Sequence, residues 1–348
     1  MWLISARNLE FRSRRFVIAI VVTALVFGIA LAIDGMRRAV QRETPEIVAN
    51  FGADEWVVAR GATGPFTTTR VLDASTADEV RNAPGVKNAD PVVLSRTVVA
   101  TDPIKDANLV GHVLGGLGSP SLSAGRAVRA PGEAVIGDGV NAELGVRLVI
   151  GGKAFKVVGQ TSGGRYYFGN PTVFIGLPDA QELVFKGQPL AMGIAVEGHA
   201  QRLPKSLAAL TNTEVEDDLN RPLAAGVQSI VVTASLLWLI AAGIIGLIVY
   251  LSALERLRDF AVFKATGAPS RVIVGGLVLQ AVFVSLAAAA LALGVSRVVG
   301  LGLPFPSQLG VSGITQLVVI SLLVGVLASL AGVRRALTTD PAVAFGGS

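Results

Sequence analysis

The chain has 348 residues, 51% of them hydrophobic and only 16% charged, and its mean hydropathy is +0.60. That is too apolar for an ordinary soluble protein and too charged for a chain buried wholly in hydrocarbon, so membrane spans and a water-exposed domain are expected together. The net charge of +5 is gathered beside apolar runs, which argues against nucleic acid as a partner, and the lack of cysteine excludes disulfides, thiolate metal sites and thiol nucleophiles.

Residues 1–15 interleave Trp2, Leu3, Leu9 and Phe11 with Arg7, Arg12, Arg14 and Arg15, the pattern of an amphipathic helix lying on a membrane surface. Residues 16–35 form the first expected span. Its charge-free stretch is longer than the apolar core of a usual signal peptide, so it is expected to be retained even though Ala30-Leu31-Ala32 offers a small-x-small cleavage pattern.

From 36 to 221 the composition is that of a soluble domain, long enough for its own core and for two subdomains. Alternating or β-branched runs predict strands at 55–60, 92–101, 108–113, 134–137, 147–150, 154–160, 172–176 and 192–197. Gly151-Gly152 reads as a hairpin turn. Helices are expected at 75–83, 139–144, 179–186 and 204–210, giving an α+β domain.

Three further apolar stretches, 222–254, 272–297 and 314–333, are each long enough to cross a bilayer, which takes about 20 residues. Residues 298–313, with Pro304 and Pro306, make the turn between the last two, and 334–348 form a tail. The expected fold is a membrane protein with four transmembrane α-helices, an N-terminal amphipathic helix and a large α+β extracytoplasmic domain between helices 1 and 2. Arginines before the first span, Arg256, Arg258, Lys264 and Arg271 between the second and third, and Arg334 and Arg335 after the fourth all fall on one side, which puts both termini in the cytoplasm. Small residues four apart in the spans, Gly28 and Ala32, Ala242 and Gly246, Ala328 and Gly332, allow close helix packing, within one chain or between two.

The charged stretch 255–268 between the second and third spans cannot lie in hydrocarbon. Glu255, Arg256, Arg258, Asp259 and Lys264 supply charge, while Leu257, Phe260 and Phe263 remain for burial, so a short helix of mixed surface is expected; Gly267 and Pro269 stop it. The run from Leu251 through Glu255-Arg256-Leu257-Arg258-Asp259-Phe260 to Phe263-Lys264-Ala265-Thr266-Gly267-Ala268 resembles the signature of the MacB/FtsX/LolC family of ABC-transporter permeases, with Asp259 where most members carry Glu. Arg334-Arg335 and Pro341-Ala342 resemble the family's C-terminal ending, and Pro84-Gly85-Val86, Gly125-Arg126, Glu133-Ala134-Val135-Ile136-Gly137 and Phe155-Lys156-Val157-Val158-Gly159 resemble its extracytoplasmic domain. In overall character the chain is similar to a DevC-like branch from actinobacteria and cyanobacteria.

The resemblance implies that 255–268 is a coupling helix docking on an ATPase. It implies a homodimer working with two copies of a separately encoded ABC ATPase in a bacterial cytoplasmic membrane. ATP and magnesium would be bound by that partner and no cofactor by this chain. Motion at the cytoplasmic face would be delivered outside by mechanotransmission, for export or extraction of a substrate, with membrane lipids and an extracytoplasmic adaptor or lipoprotein as further partners. A regulator like FtsX, activating a cell-wall hydrolase without transport, is the alternative, although such proteins generally carry a smaller external domain.

The chemistry expected to be absent agrees with a non-enzymatic role. Gly151-Gly152-Lys153 is followed by Ala154 in a hairpin, so there is no phosphate loop, and His112 and His199 stand far apart without metal-ligand spacing. No Ser, His and Asp arrangement suggests a nucleophile. The external run Arg165-Tyr166-Tyr167-Phe168 clusters aromatics and is a candidate contact for a substrate or partner, or else a strand with its rings in the core.

Overall fold

The computed structural model describes residues 13–101, 103–162, 165–166, 170–255, 262, 269–301 and 311–337. The chain divides into two compact units, 1–39 with 226–348, and 40–225.

Among the described residues four helices contribute to the first unit: α1 (Ser13–Ala49), α5 (Ala224–Glu255), α6 (Ser270–Leu301) and α7 (Val311–Leu337). The stretches Val17–Ala49, Asn212–Glu255 and Val274–Val299 are long and apolar enough to cross a membrane, and Gly313–Leu327 is a shorter apolar helix. Their side chains form a buried seam and an exposed apolar surface. Ala24, Ala241, Ala253, Ala281, Ala288 and Ala292 pack with Phe27, Leu31, Ile245 and Leu317 in a buried seam, whereas Leu239, Val298, Leu323 and Leu327 stay exposed. A helix bundle whose outer surface is as apolar as its core suits a lipid solvent, where small residues let backbones approach and large ones face the chains. Buried serines are satisfied within their own helices: Ser285, Ser296, Ser321 and Ser329 donate to the carbonyl three residues back at 2.9, 3.0, 2.8 and 2.6 Å.

The second unit is built on strands β1 (Glu55–Ala59), β2 (Leu72–Asp73), β3 (Val86–Val99), β4 (Lys105–His112), β5 (Ala124–Gly125), β6 (Glu133–Gly137), β7 (Arg147–Ile150), β8 (Lys153–Thr161), β9 (Arg165–Tyr166), β10 (Asn170–Gly176), β11 (Leu190–Ala191), β12 (Gly193–Gly198) and β13 (Leu207–Thr211). Helices α2 (Thr76–Arg81), α3 (Leu177–Phe185) and α4 (Asn212–Asn220) accompany them. Among the described residues an 11-stranded sheet runs β13-β1-β12-β3-β4-β10-β6-β8-β5, with β7 joining β3 and β8 and β9 joining β10; β2 and β11 pair separately. The pairs β4–β10 and β6–β8 are parallel, and the other ladders are antiparallel.

The long strand β3 holds the two halves of the sheet together. Its first half pairs with β12 from Val86 to Val92, and its second with β4 from Val93 to Val99. Both faces are buried, and the alternation of side chains shows how. Trp56, Val92, Val110, Phe174 and Ala195 point to one core, shared with Ile47, Phe51, Val215 and Leu219; their neighbours Val93, Leu109, Val173 and Ile175 point to another under α3, and Val57, Ile194 and Val196 to a third under α2. Gly111 is where α3 comes closest, since a Cβ there would lie 2.1 Å from that of Ala180.

Most expected elements are present, with boundaries shifted by a few residues. Gly151 and Gly152, with φ of 57° and 87°, form the two-residue turn between β7 and β8, where Ile150 pairs with Lys153. Two expected helices are corrected. Residues 139–144 are loop, entered through Gly139 at φ 98° and left through Gly145 at φ 88°. Residues 204–210 run into β13, because the Leu-Ala-Ala-Leu sequence completes the edge of the sheet by pairing with β1, and that pairing overrides helix propensity. The helix begins instead at Asn212, behind the capping box of Thr211 and Glu214. The first apolar helix continues beyond residue 35, to Ala49, with Pro45 inside it.

Candidate functional site

The charged stretch between the second and third apolar helices is bracketed by described residues. Helix α5 ends at Glu255, which is exposed, and α6 begins at Ser270, directly after exposed Pro269. Arg256, Leu257, Arg258, Asp259, Phe260, Phe263, Lys264 and Gly267 lie outside the described residues, as does the N-terminal stretch 1–12.

The small residues of the helices fall as follows. Gly28 sits against the neighbouring helix: a Cβ there would stand 2.5 Å from Val295 Cγ1 and 3.2 Å from the Ala292 carbonyl, so α1 and α6 touch at this glycine. Ala32 is 1% exposed, Gly246 is buried, and Ala242 packs against the same seam. Ala328 and Gly332 lie within α7. The spacing rule did not single out Gly325, where a Cβ would lie 2.7 Å from Ser285 Oγ. A polar cluster at the end of the charge-free run was also not anticipated: Asp34 pairs with Arg37 at 2.9 Å and Arg38 at 2.8 Å, and Arg38 donates to Gln316 Oε1 at 3.1 Å. The i, i+3 and i, i+4 spacings of the arginines were the available signal.

In the α+β unit, Arg165 and Tyr166 form β9 against Pro171 and Asn170, while Tyr167 and Phe168 lie outside the described residues. The unit's electrostatics are concentrated in buried carboxylates that hold loops. Asp218, fully buried, accepts from the backbone N–H groups of Phe66 at 2.9 Å and Thr67 at 3.2 Å and from the hydroxyls of Thr63, at 3.0 Å, and Thr67. Asp90 accepts from Leu117 N and Asn88 Nδ2, each at 2.9 Å, and Asp179 from Gly132 N at 2.7 Å and Lys153 Nζ at 3.1 Å. Glu133 pairs bidentately with Arg126, one bond being 2.8 Å, and accepts from Arg129 N at 3.0 Å; these donors, Arg126 first, hold its carboxyl at about 2.

His112 ends β4 in the core, 2% exposed. Its Nδ1 lies 2.9 Å from the Val113 carbonyl, which can only accept, so Nδ1 carries the proton and Nε2 is left as a buried acceptor without a partner. Burial holds this imidazole below its ordinary pKa. Each carboxylate described is occupied by backbone or side-chain donors, which ties a loop to the sheet.

The family described as MacB-like periplasmic core domain matches residues 16–213, and the one described as FtsX-like permease C-terminal matches residues 231–341. An uncharacterized ABC transporter permease of Mycobacterium tuberculosis (strain H37Rv) is 37% identical over 342 residues, covering 98% of each chain, and a second from the same strain is 35% identical over the same length and coverage. Among solved structures, the periplasmic region of MacB from Actinobacillus actinomycetemcomitans aligns with 50% of this chain and 95% of its own, at 13% identity and a TM-score of 0.36. The extracellular domain of the noncanonic ABC-type transporter YknZ from Gram-positive bacteria covers 43% of this chain and 84% of its own, at 13% identity and a TM-score of 0.33.

Proposed function

The chain belongs to the MacB/FtsX-like family of ABC transporter permeases, and from that premise we propose that it is the permease subunit that converts ATP-driven motion of a separate ATPase into movement of its α+β domain. One observation carries this reading. Two apolar helices, ending at Glu255 and beginning at Ser270, are joined by a short stretch that combines five charged side chains, Glu255, Arg256, Arg258, Asp259 and Lys264, with the hydrophobic Leu257, Phe260 and Phe263. A stretch used only to fix topology needs the positive charges; it does not need two phenylalanines, which instead suit a cleft on a partner.

In this account four helices cross the bacterial cytoplasmic membrane, both termini are cytoplasmic, and a homodimer works with two ATPase copies. Closure of the ATPases on nucleotide pushes on residues 255–264, and the helices transmit the displacement outward. The α+β domain then extrudes or extracts a substrate, with or without an adaptor. An FtsX-like output, activation of a hydrolase, uses the same coupling, so the test below addresses the step common to both.

Phe260→Ala and Arg258→Glu are expected to abolish this chain's effect on ATP hydrolysis by its partner, with membrane insertion unchanged. Insertion is checked by protease accessibility of a C-terminal tag. Full stimulation in both variants would overturn the assignment of this segment.

A further inference from the structure

Strand β13 closes one end of the large sheet: β1 pairs along one side of it, and among the described residues no strand pairs along the other. One hydrogen bond fixes which way its backbone groups point. The Arg60 amide donates to the Ser206 carbonyl at 2.7 Å, so in the antiparallel alternation Ala208 and Leu210 turn their backbone groups to β1, while Leu207, Ala209 and Thr211 turn theirs outward. The outer amides at the two ends are occupied within the chain. Leu207 N donates to the Pro204 carbonyl at 3.0 Å and Thr211 N to the Glu214 carboxylate at 2.8 Å. Ala209, exposed in the middle, presents an N–H and a carbonyl to the open side.

The strand carries no charge, and its two ends carry opposite ones. Beside its start stand Arg60, Arg70 and Lys205, all exposed: Arg60 donates to the Lys205 carbonyl, Arg70 donates to the Arg60 carbonyl at 3.2 Å, and the Arg70 guanidinium lies over Gly61. Among the described residues these three cations have no carboxylate partner. Beyond its end, α4 brings Glu214, Glu216 and Asp217 and no basic residue. The capping box holds Glu214 at the junction, and Asp217 is exposed.

We propose that the open edge of β13 is a contact between the α+β units of two copies of this chain, laid antiparallel about a two-fold axis through Ala209. Each Ala209 N–H then donates to the carbonyl of the other, and the basic start of each strand stands beside the acidic start of α4 in the second copy. The occupant follows from the edge itself. A two-fold contact requires a surface that fits itself, and a strand positive at one end and negative at the other does so only when reversed. A parallel arrangement sets like charges side by side, which disfavours it. The occupied amides of Leu207 and Thr211 confine the pairing to Ala209, so the edge is closed to a longer ladder. So short a contact is weak between free subunits; it rests on the homodimer of the reading above, whose spans would keep the two copies at high effective concentration.

The chain has no native cysteine, so a single thiol reports on a single position. Full-length Ala209→Cys in nanodiscs, without ATPase or nucleotide, is oxidised with copper phenanthroline, and native mass spectrometry counts the copies in each disc. Opposed Cα atoms in such a pair lie about 5.5 Å apart, within the reach of a disulfide. Ala209→Cys should give at least about tenfold more covalent dimer than Val149→Cys, a position 41% exposed on β7. Lys205→Glu should lower the yield severalfold, and adding Glu216→Lys and Asp217→Lys should restore it, because the exchanged charges oppose again. An unchanged unfolding temperature verifies the fold of each variant. Dimers in which Ala209→Cys crosslinks no better than Val149→Cys overturn the edge contact and leave the homodimer standing; monomers alone overturn both. Crosslinking indifferent to the charge exchanges overturns the reversed arrangement.

Discussion

Glu133 shows how a single side chain ties stability to pH. Its folded carboxyl titrates at about 2, well below the ordinary carboxylate value of 4.5, because Arg126 and the Arg129 and Ala130 amides bind the charged form. A depressed carboxylate stabilises the fold above its unfolded pKa and loses that contribution as pH falls through the folded one. Glu133→Gln should therefore lower the unfolding temperature at pH 7, and the difference from the parent should shrink between about pH 4.5 and pH 2 and vanish below. Thermal unfolding at a series of pH values checks this. Gly28 offers a steric counterpart: Gly28→Leu should destabilise the protein by about 1–3 kcal/mol by driving α1 from Val295, whereas Gly243→Ala, inside a helix and into open space, should not destabilise it and should gain up to about 1 kcal/mol. Denaturation in detergent distinguishes them. Small residues spaced by four were readable from sequence, but the buried carboxylates were not. Asp218 takes its donors from residues 151 to 155 positions away and Asp179 from one 47 away, and no local pattern shows which aspartate will meet distant amides.

Elements were legible where one interaction dominated. Strand β10 announced itself by a β-branched run ending at Gly176, and β7–β8 by alternation about two glycines. Leu207–Thr211 misled because its side chains favour a helix while the edge of β1 offers five paired residues, a gain visible only once the sheet exists. The signal that would have placed the helix correctly was Thr211-x-x-Glu214: the Glu214 amide donates to Thr211 Oγ1 at 3.3 Å and the Thr211 amide to Glu214 at 2.8 Å. Thr211→Ala should cost about 1 kcal/mol and raise hydrogen exchange at the start of α4, leaving β13 protected, since its bonds to β1 do not involve that side chain.

For the whole molecule, the division of labour follows from composition. A unit of apolar helices, with alanines and glycines in its seam, and an α+β unit with three buried cores are what a chain of 51% hydrophobic and 16% charged residues can build when it must satisfy both lipid and water. The family to which the chain belongs was legible in the stretch 251–268, where charged and aromatic side chains stand between two apolar runs. The central claim, that the chain is driven by a separate ATPase through residues 255–264, is tested most directly by purifying the tagged chain with the ATPase encoded beside its gene and measuring ATP hydrolysis in lipid with and without it. The account predicts a stable complex of two chains with two ATPases and a rate of hydrolysis changed by this chain. Correctly inserted protein that neither retains the ATPase nor alters its rate would contradict it.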